Sequence, residues 1–430
     1  MYQVTDEQII DILRQEAVPA LGCTEPVACA LACARCREEL GTVPEQIEVW
    51  VSGNIYKNGM GVGIPGSGMT GLPIAAALGA VCGKTPYGLE VLKDVSKGDN
   101  LAVAKRLLEE KAVSVNMKED AEDKLYAEAI CRKGEDVVRT VIIHAHTNII
   151  LVEKNGKPLV KKEYTPLTSD KRQRPELSVE RIWKFIHEVE VGKIDFVLQG
   201  AEMNKAISAE GLNSAYGLQI GRTLQENIEK GLLENDLLNN VLIRSTAASD
   251  ARMDGCEKPV MTNSGSGNQG ITVIIPVVVT AEYLGASREQ LTRALALSNL
   301  IAAHIHYYLG HLSALCGILI AGTGSASAIT YLMGGDYDKV VNTIKTMCSN
   351  LTGMMCDGAK QGCALKVYSG VSAAVQAALL SMKGIKTNND GIIEEDIEKT
   401  IRNVGLIGTA GMEQTDKTIL NIMCRKGTQA

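Results

Sequence analysis

Asp136–Val160 reads DVVRTVIIHAHTNIILVEKNGKPLV, and its period decides the fold class. β-branched and aliphatic residues alternate with polar ones, and Asn155-Gly156 is a strong two-residue hairpin signal. Upstream, AVSVNMK (112–118) and LYAEAICRKG (125–134) carry the same alternation, so the three stretches read as an antiparallel meander. The period-two pattern begins earlier still, at Ile47 in IEVWVSGNIYKNG, and short helical patterns fill 83–110 (LEVLKDV, NLAVAKRLLEEK). The polar run from Lys161 to Pro175 (KKEYTPLTSDKRQRP) ends this region and is the best boundary in the chain. On the other side of Ile47, residues 5–18 show helical spacing opened by Thr5 and Asp6, and an alanine-rich helix runs to about Leu40. After Leu177 the chain reads as mainly helical. The expectation is an α+β protein: a mainly helical unit built from 1–45 and 171–430, with a smaller α/β domain, 46–170, inserted between them and carrying the antiparallel sheet.

With 430 residues the chain exceeds a usual single core, which agrees with two units. Hydrophobic residues at 45% and charged residues at 22% suit a globular protein. A net charge of −6 argues against a nucleic-acid surface or an anionic membrane as partner. The N-terminus is acidic and amphipathic, without a secretory pattern, so the twelve cysteines do not read as a disulfide framework. Apolar runs are broken by Pro276 or by His304, His306 and His311 before reaching transmembrane length. A reducing cytoplasm, a small-molecule substrate and a homodimer are the expectations.

Chemistry concentrates in the cysteines. Cys316, Cys356 and Cys363 each have glycine close by, and the last two flank the polar turn Cys-Asp-Gly-Ala-Lys-Gln-Gly-Cys. Thiolates bind iron and other soft metals, and an iron–sulfur cube with three protein thiolates keeps one iron open to substrate. Free cysteine also packs as a small buried hydrophobe, so spacing alone leaves ligation and packing both open. Cys23 falls at the mouth of the alanine-rich helix, with Thr24 able to cap and Pro26 in the first turn; helix N-termini favour thiolate, which makes Cys23 a candidate reactive group beside the packing alternative. Cys29, Cys33 and Cys36 match the spacing used by radical enzymes dependent on S-adenosylmethionine. On an uninterrupted helix, however, that spacing spreads the sulfurs over roughly 10 Å of axis, which favours core packing.

Weaker signals are Gly61-x-Gly63-x-x-Gly66, which formally matches a dinucleotide fingerprint but is interrupted by Pro65. His144 and His146 read as sharing one strand face, and His304 and His311 as sharing a helix face. Thr262–Gly270 (TNSGSGNQG) strings together amides, hydroxyls and Asn side chains, suited either to gripping a carboxylate or phosphate or to a flexible connector.

Taken together, Leu21-Gly-Cys-Thr-Glu-Pro26, Gly53-Asn-Ile-Tyr-Lys-Asn-Gly-Met-Gly-Val-Gly-Ile-Pro65, Thr262–Gly270 and Cys356–Cys363 resemble the L-cysteine desulfidase family, which is related to the iron–sulfur L-serine dehydratases. The resemblance covers nearly the whole chain. It implies an enzyme that breaks L-cysteine into pyruvate, ammonia and sulfide with a [4Fe-4S] cluster and no pyridoxal phosphate. Carried over by motif, Cys316, Cys356 and Cys363 take the ligand positions and Cys23 that of the catalytic base. Thr24, Glu25, Asn263, Ser264, Ser266 and Asn268 are then the substrate-binding candidates. Cys256, just before the Thr262 motif, is the competing thiol. Serine dehydration at the same site, a radical enzyme and an amino-acid-binding protein without catalysis are the rival readings.

Overall fold

The computed structural model describes residues 4–163, 175–310 and 313–427. Most of the polar boundary run and His311 lie outside the described residues, so the pairing of His304 with His311 is not addressed by it.

The chain opens with α1 (Asp6–Glu16), closed at its start by a capping box: Gln8 N–H donates to Thr5 Oγ1 and Thr5 N–H to Gln8 Oε1, at 3.3 and 2.9 Å. β1 (Pro19–Ala20) and α2 (Thr24–Leu40) follow. β2 (Gln46–Val51) gives way at once to a short helix, α3 (Gly53–Gly59), where the period-two pattern had read on as strand. Ser52 causes the switch by accepting the Ile55 N–H as N-cap. Next come β3 (Gly63–Ile64), β4 (Met69–Thr70), α4 (Leu72–Cys82), α5 (Asn100–Glu109) and strands β5 (Val113–Met117), β6 (Tyr126–Lys133), β7 (Asp136–Ile143), β8 (Ile149–Lys154) and β9 (Lys157–Lys161). LEVLKDV, expected as helix, falls in a 3-10 turn and the irregular segment after it.

The meander forms from Tyr126 onward, but without residues 112–118, which were expected to open it. β6 to β9 pair antiparallel in sequence order, with Asn155 and Gly156 at φ 51 and 76 in the hairpin turn. The sheet as a whole is mixed, in the order β5-β2-β6-β7-β8-β9. β5 leaves the meander and pairs parallel with β2, Ile47 opposite Val113, because α4 and α5 make the crossover that a parallel pair requires.

The helical part runs α6 (Val179–Glu188), α7 (Val197–Asn213), α8 (Ile220–Glu229), α9 (Leu237–Met253), then β10 (Val260–Met261), α10 (Gly267–Leu284), α11 (Arg288–Leu309), α12 (Gly317–Leu332), α13 (Tyr337–Leu351), α14 (Cys363–Met382), α15 (Ile397–Leu406) and α16 (Glu413–Gly427). α10 and α12 are buried almost all round, as their near-continuous apolar sequences dictate. α14 is long and apolar enough to cross a membrane by length and composition, but half of that stretch is buried against other helices, as in a core helix.

Among the described residues two large hydrophobic cores result, with a small third cluster at Tyr126, Val141 and Ile143. One gathers α1 with α6 through α15; the other gathers α2, α4, α5 and the sheet. Grouping all of 1–45 with the helices therefore does not describe α2, which packs on α4, β6 and β7. Small residues make this possible: a Cβ on Gly79 of α4 would lie 2.5 Å from Ala30 Cα. Cys29, Cys33 and Cys36 are fully buried in the same layer, with Cys36 Sγ 3.3 Å from Thr140 Oγ1. They act as packing residues, as their helical spacing indicated.

Candidate functional site at the seam of the two cores

A cavity of about 150 Å³ lies where the two cores meet. Cys23, Thr24, Glu25, Ser264, Ser266, Asn268, Cys316, Cys356 and Cys363 all line it, so residues scattered over most of the chain converge on one space.

Backbone pairings explain the convergence. β1 pairs with β10, Thr262 N–H donates to Val18 O at 2.9 Å, and Ser264 N–H to Glu16 O at 3.0 Å. This seam lays the 262–266 turn beside the start of α2, where Thr24 Oγ1 donates to Gly265 O at 3.0 Å. The turn is built, not loose: Ser264 and Gly265 take φ of 50 and 78, and Ser266 N-caps α10. Cys316 and Cys356 are joined by a small antiparallel bridge, Leu315 opposite Met355. Cys316 N–H donates to Met354 O at 2.8 Å, and Cys356 N–H to Ala314 O at 2.6 Å. Cys363 opens α14, its N–H held by Lys360 O. Lys366 ties the turn down, donating to Met355 O and Asp357 Oδ1, each at 2.7 Å.

Asn263 is the exception among the candidates. It is buried behind the cavity, donating to Asn299 Oδ1 at 3.0 Å and accepting from Ser264 Oγ, so its carboxamide holds the turn from inside. Cys256 also stands apart, buried in the helical core and away from the cavity. The glycine fingerprint binds backbone instead of nucleotide: β3 and β4 form a hairpin, and a Cβ on Gly63 would lie 2.5 Å from Asp254 C.

Cys23 is the N-cap of α2, as its motif indicated, yet its thiol is not acidified. Burial pushes its pKa up to about 12 against the pull of Arg252, and Glu25 and Cys363 add to the rise. Cys316 is likewise pushed to about 12, by burial first and then by Cys356, while Lys366 opposes. Burial also raises Cys363. Buried thiols that raise one another in this way become thiolates readily only beside added positive charge, which is what a soft metal group supplies. Among the described residues no three His, Cys, Asp or Glu side chains gather tightly enough for a single metal ion. A cube is a wider guest whose thiolates bind different irons, and three cysteines lining one cavity fit that donor set.

Several lining residues were not among the site residues expected from the sequence. Arg252, at the end of α9, is only 5% exposed; its Nη2 donates to Gly22 O at 3.1 Å and its Nη1 to Asn268 Oδ1 at 3.2 Å. Its Nε is buried without a partner. Asn58 of α3 donates to Glu25 Oε1 at 3.0 Å. His146 lines the cavity from the loop between β7 and β8. The expected shared strand face of His144 and His146 does not exist, because β7 ends at Ile143. His144 turns to Asp123, 2.6 Å away, from a positive φ of 67. Similarly, His304 is buried against Glu398 at 2.7 Å, and it is His306 that lines the cavity.

An α+β protein with a thiol-lined pocket between its cores is thus the class that fold and site define. Residues 86–421 match the family described as the serine dehydratase alpha chain. The sequence is 47% identical over 422 residues to a UPF0597 protein of Phocaeicola vulgatus, covering 98% of each chain. It is 46% identical over 430 residues to one of Parabacteroides distasonis, covering 99% of this chain and 100% of that one. To one of Aeromonas hydrophila it is 45% identical over 421 residues, 97% and 96% of the two chains. The chain belongs to the serine dehydratase alpha-chain family. That family is iron–sulfur dependent, and membership implies a lyase of the dehydratase kind.

Proposed function

We propose that this protein is an iron–sulfur-dependent lyase that degrades L-cysteine to pyruvate, ammonia and sulfide by β-elimination. The observation that carries the reading is the convergence of Cys23 and the Cys316, Cys356, Cys363 set on one small cavity. The three thiols would hold a [4Fe-4S] cluster, which when bound supplies a soft Lewis acid at its open iron.

The chain's own residues account for the rest. Arg252 faces the cavity as a buried guanidinium with an unused Nε–H and binds the substrate carboxylate, assisted by the Ser264–Asn268 turn. Cys23 Sγ, as thiolate, accepts the α-proton, and Arg252 beside it opposes the burial that raises its pKa. The electron pair of the Cα–H bond becomes the Cα–Cβ double bond, and the Cβ–S pair leaves with sulfur as hydrosulfide. Aminoacrylate then tautomerises to the imine, and water hydrolyses it to pyruvate and ammonia.

L-Serine is the second reading, favoured by the family's description; there hydroxide leaves in place of hydrosulfide. The deciding experiment is anaerobic iron–sulfide reconstitution followed by product assay on both amino acids. Sulfide and pyruvate from L-cysteine, lost on iron chelation, is the expected result. Pyruvate from L-serine alone would keep the site and change the substrate. Activity that persists in metal-free protein rules the mechanism out.

A further inference from the structure

Among the described residues, twelve buried side-chain nitrogen or oxygen atoms lack a hydrogen-bond partner, and four belong to residues lining this one cavity: Asn58 Oδ1, His146 Nε2, Arg252 Nε and Gln269 Oε1. Folded proteins satisfy nearly all buried polar atoms, so a concentration of unpaired ones around a cavity marks where a ligand completes them. Their chemistry divides. Arg252 offers only a donor, whereas Asn58 and Gln269 offer carbonyl oxygens. Asn58 gives its NH₂ to Glu25, which leaves its oxygen as the free atom, and Gln269 packs closely on Gly317 beside Cys316 with its Oε1 unpaired. Asn58 and Gln269 are each 8% exposed. Burial keeps His146 below its usual pKa and so neutral, able to present Nε2 as a third acceptor in its Nδ1–H tautomer.

We infer that Asn58 Oδ1, Gln269 Oε1 and His146 Nε2 form a receptor for the α-ammonium of the substrate, while Arg252 takes its carboxylate. An ammonium has three N–H donors and no acceptor, which matches three free acceptors. Its positive charge is balanced by Glu25, one hydrogen bond behind Asn58. The inference rests on the amino-acid lyase reading and narrows it: the site selects free α-amino acids and rejects the corresponding acids that lack the amine.

L-Alanine and propionate differ only in the α-ammonium, and neither carries a leaving group, so calorimetric titration of the reconstituted holoenzyme reads the receptor without turnover. The expectation is that L-alanine binds at least ~30-fold more tightly than propionate, as two or three charge-assisted hydrogen bonds imply. That ratio should fall roughly tenfold in Asn58→Leu and in Gln269→Met, and persist in Gln269→Glu, which keeps an acceptor. Wild-type protein binding the two ligands within ~3-fold of each other overturns the inference, and needs no variant to fold. A ratio unchanged in both apolar variants, with wild-type melting temperatures, overturns the assignment of these residues. The arms separate the two proposals: a high ratio without sulfide or pyruvate release sinks the lyase and keeps the receptor, while turnover without a ratio does the reverse.

Discussion

Arg252→Lys is the most informative single substitution. The guanidinium reaches Gly22 O and Asn268 Oδ1 at once, at 3.1 and 3.2 Å, and thereby locks the approach to α2 against the start of α10. A lysine ammonium keeps the charge but is a compact point donor without the planar fork. It cannot hold both oxygens and also offer a donor to a carboxylate. Loss of one charge-assisted hydrogen bond to substrate corresponds to about 1.5–3 kcal/mol, or roughly 10- to 150-fold in kcat/KM. Leaving Gly22 O unpaired in a buried site costs a further ~1–3 kcal/mol of stability, whereas Asn268 Oδ1 keeps the Ser249 hydroxyl as donor. The assay is steady-state pyruvate release from L-cysteine and L-serine, normalised to bound iron, alongside thermal melts. Expected are a raised KM, an iron content equal to wild type and a lower melting temperature. A kcat/KM within ~3-fold of wild type at equal iron content would refute the carboxylate role.

Other consequences follow from the same geometry. Serine in place of Cys316, Cys356 or Cys363 should remove both the brown iron–sulfur absorbance and activity, whereas Cys256→Ser and Cys36→Ser, away from the cavity, should keep both; colour retained in the first set would reassign the ligands. Cys23→Ser should keep the absorbance and lower kcat by ~10²–10⁴, the usual worth of a proton-transfer group; undiminished turnover would remove Cys23 from the reaction. Gly267→Ala should act as a milder form of Arg252→Lys, since a Cβ there would overlap the Arg252 guanidinium and come within 2.8 Å of Val260 Cγ2; unaltered kinetics would mean the guanidinium position is not critical. Asp250, which accepts the Ile220 N–H at 2.7 Å, has its pKa raised by burial from 3.8 to about 6. The folded state therefore prefers the protonated acid. That stability is present in full below about pH 3.8 and is lost as pH rises through about 6, up to ~3 kcal/mol in all. Asp250→Asn keeps an acceptor and cannot ionise, so denaturant unfolding should show a flatter pH profile between 4 and 7.5; a profile parallel to wild type would contradict the assignment.

The parts of the fold set by local chemistry were legible in the sequence. Alternating Val, Ile and Thr residues with an Asn-Gly turn admit little except a hairpin, and the meander from β6 to β9 follows. The parallel β2–β5 pair was not legible, because that partnership is decided by the α4–α5 crossover and not by either strand's own pattern. Nor was the side to which α2 packs, since a helix apolar on every face carries no periodic sign of which core it serves. At the site, cysteine-bearing motifs drew attention to the stretches that meet at the cavity. Arg252 passed unnoticed, and Asn58, Gln269 and His146 lay inside stretches that were singled out without being assigned to the site, because each reaches the cavity from an element whose local pattern is explained without it. Arg252 reads as a charged helix end, and His146 as one more residue of a strand. Only tertiary pairing reveals that their polar atoms end up buried and unpaired.

Three of the four cavity thiols stand at helix N-termini: Cys23 and Cys316 as N-caps of α2 and α12, and Cys363 as the first residue of α14. Each terminus places its first N–H groups and a partial positive charge beside the thiol it carries, worth typically 0.3–1 kcal/mol to an anion. That is too little to offset burial, which still pushes Cys23 and Cys316 to about 12. Helix ends here do not make reactive free thiols. What they can do is favour an anionic group that arrives with its own compensating charge, since the same N–H groups then face sulfurs already ionised by a metal. Arg252 and Lys366 act in the same sense on Cys23 and Cys316. The placement of Cys23, Cys316 and Cys363 on α2, α12 and α14 thus agrees with the proposed division between one proton-accepting thiol and a set of thiols that would hold a cluster between both cores.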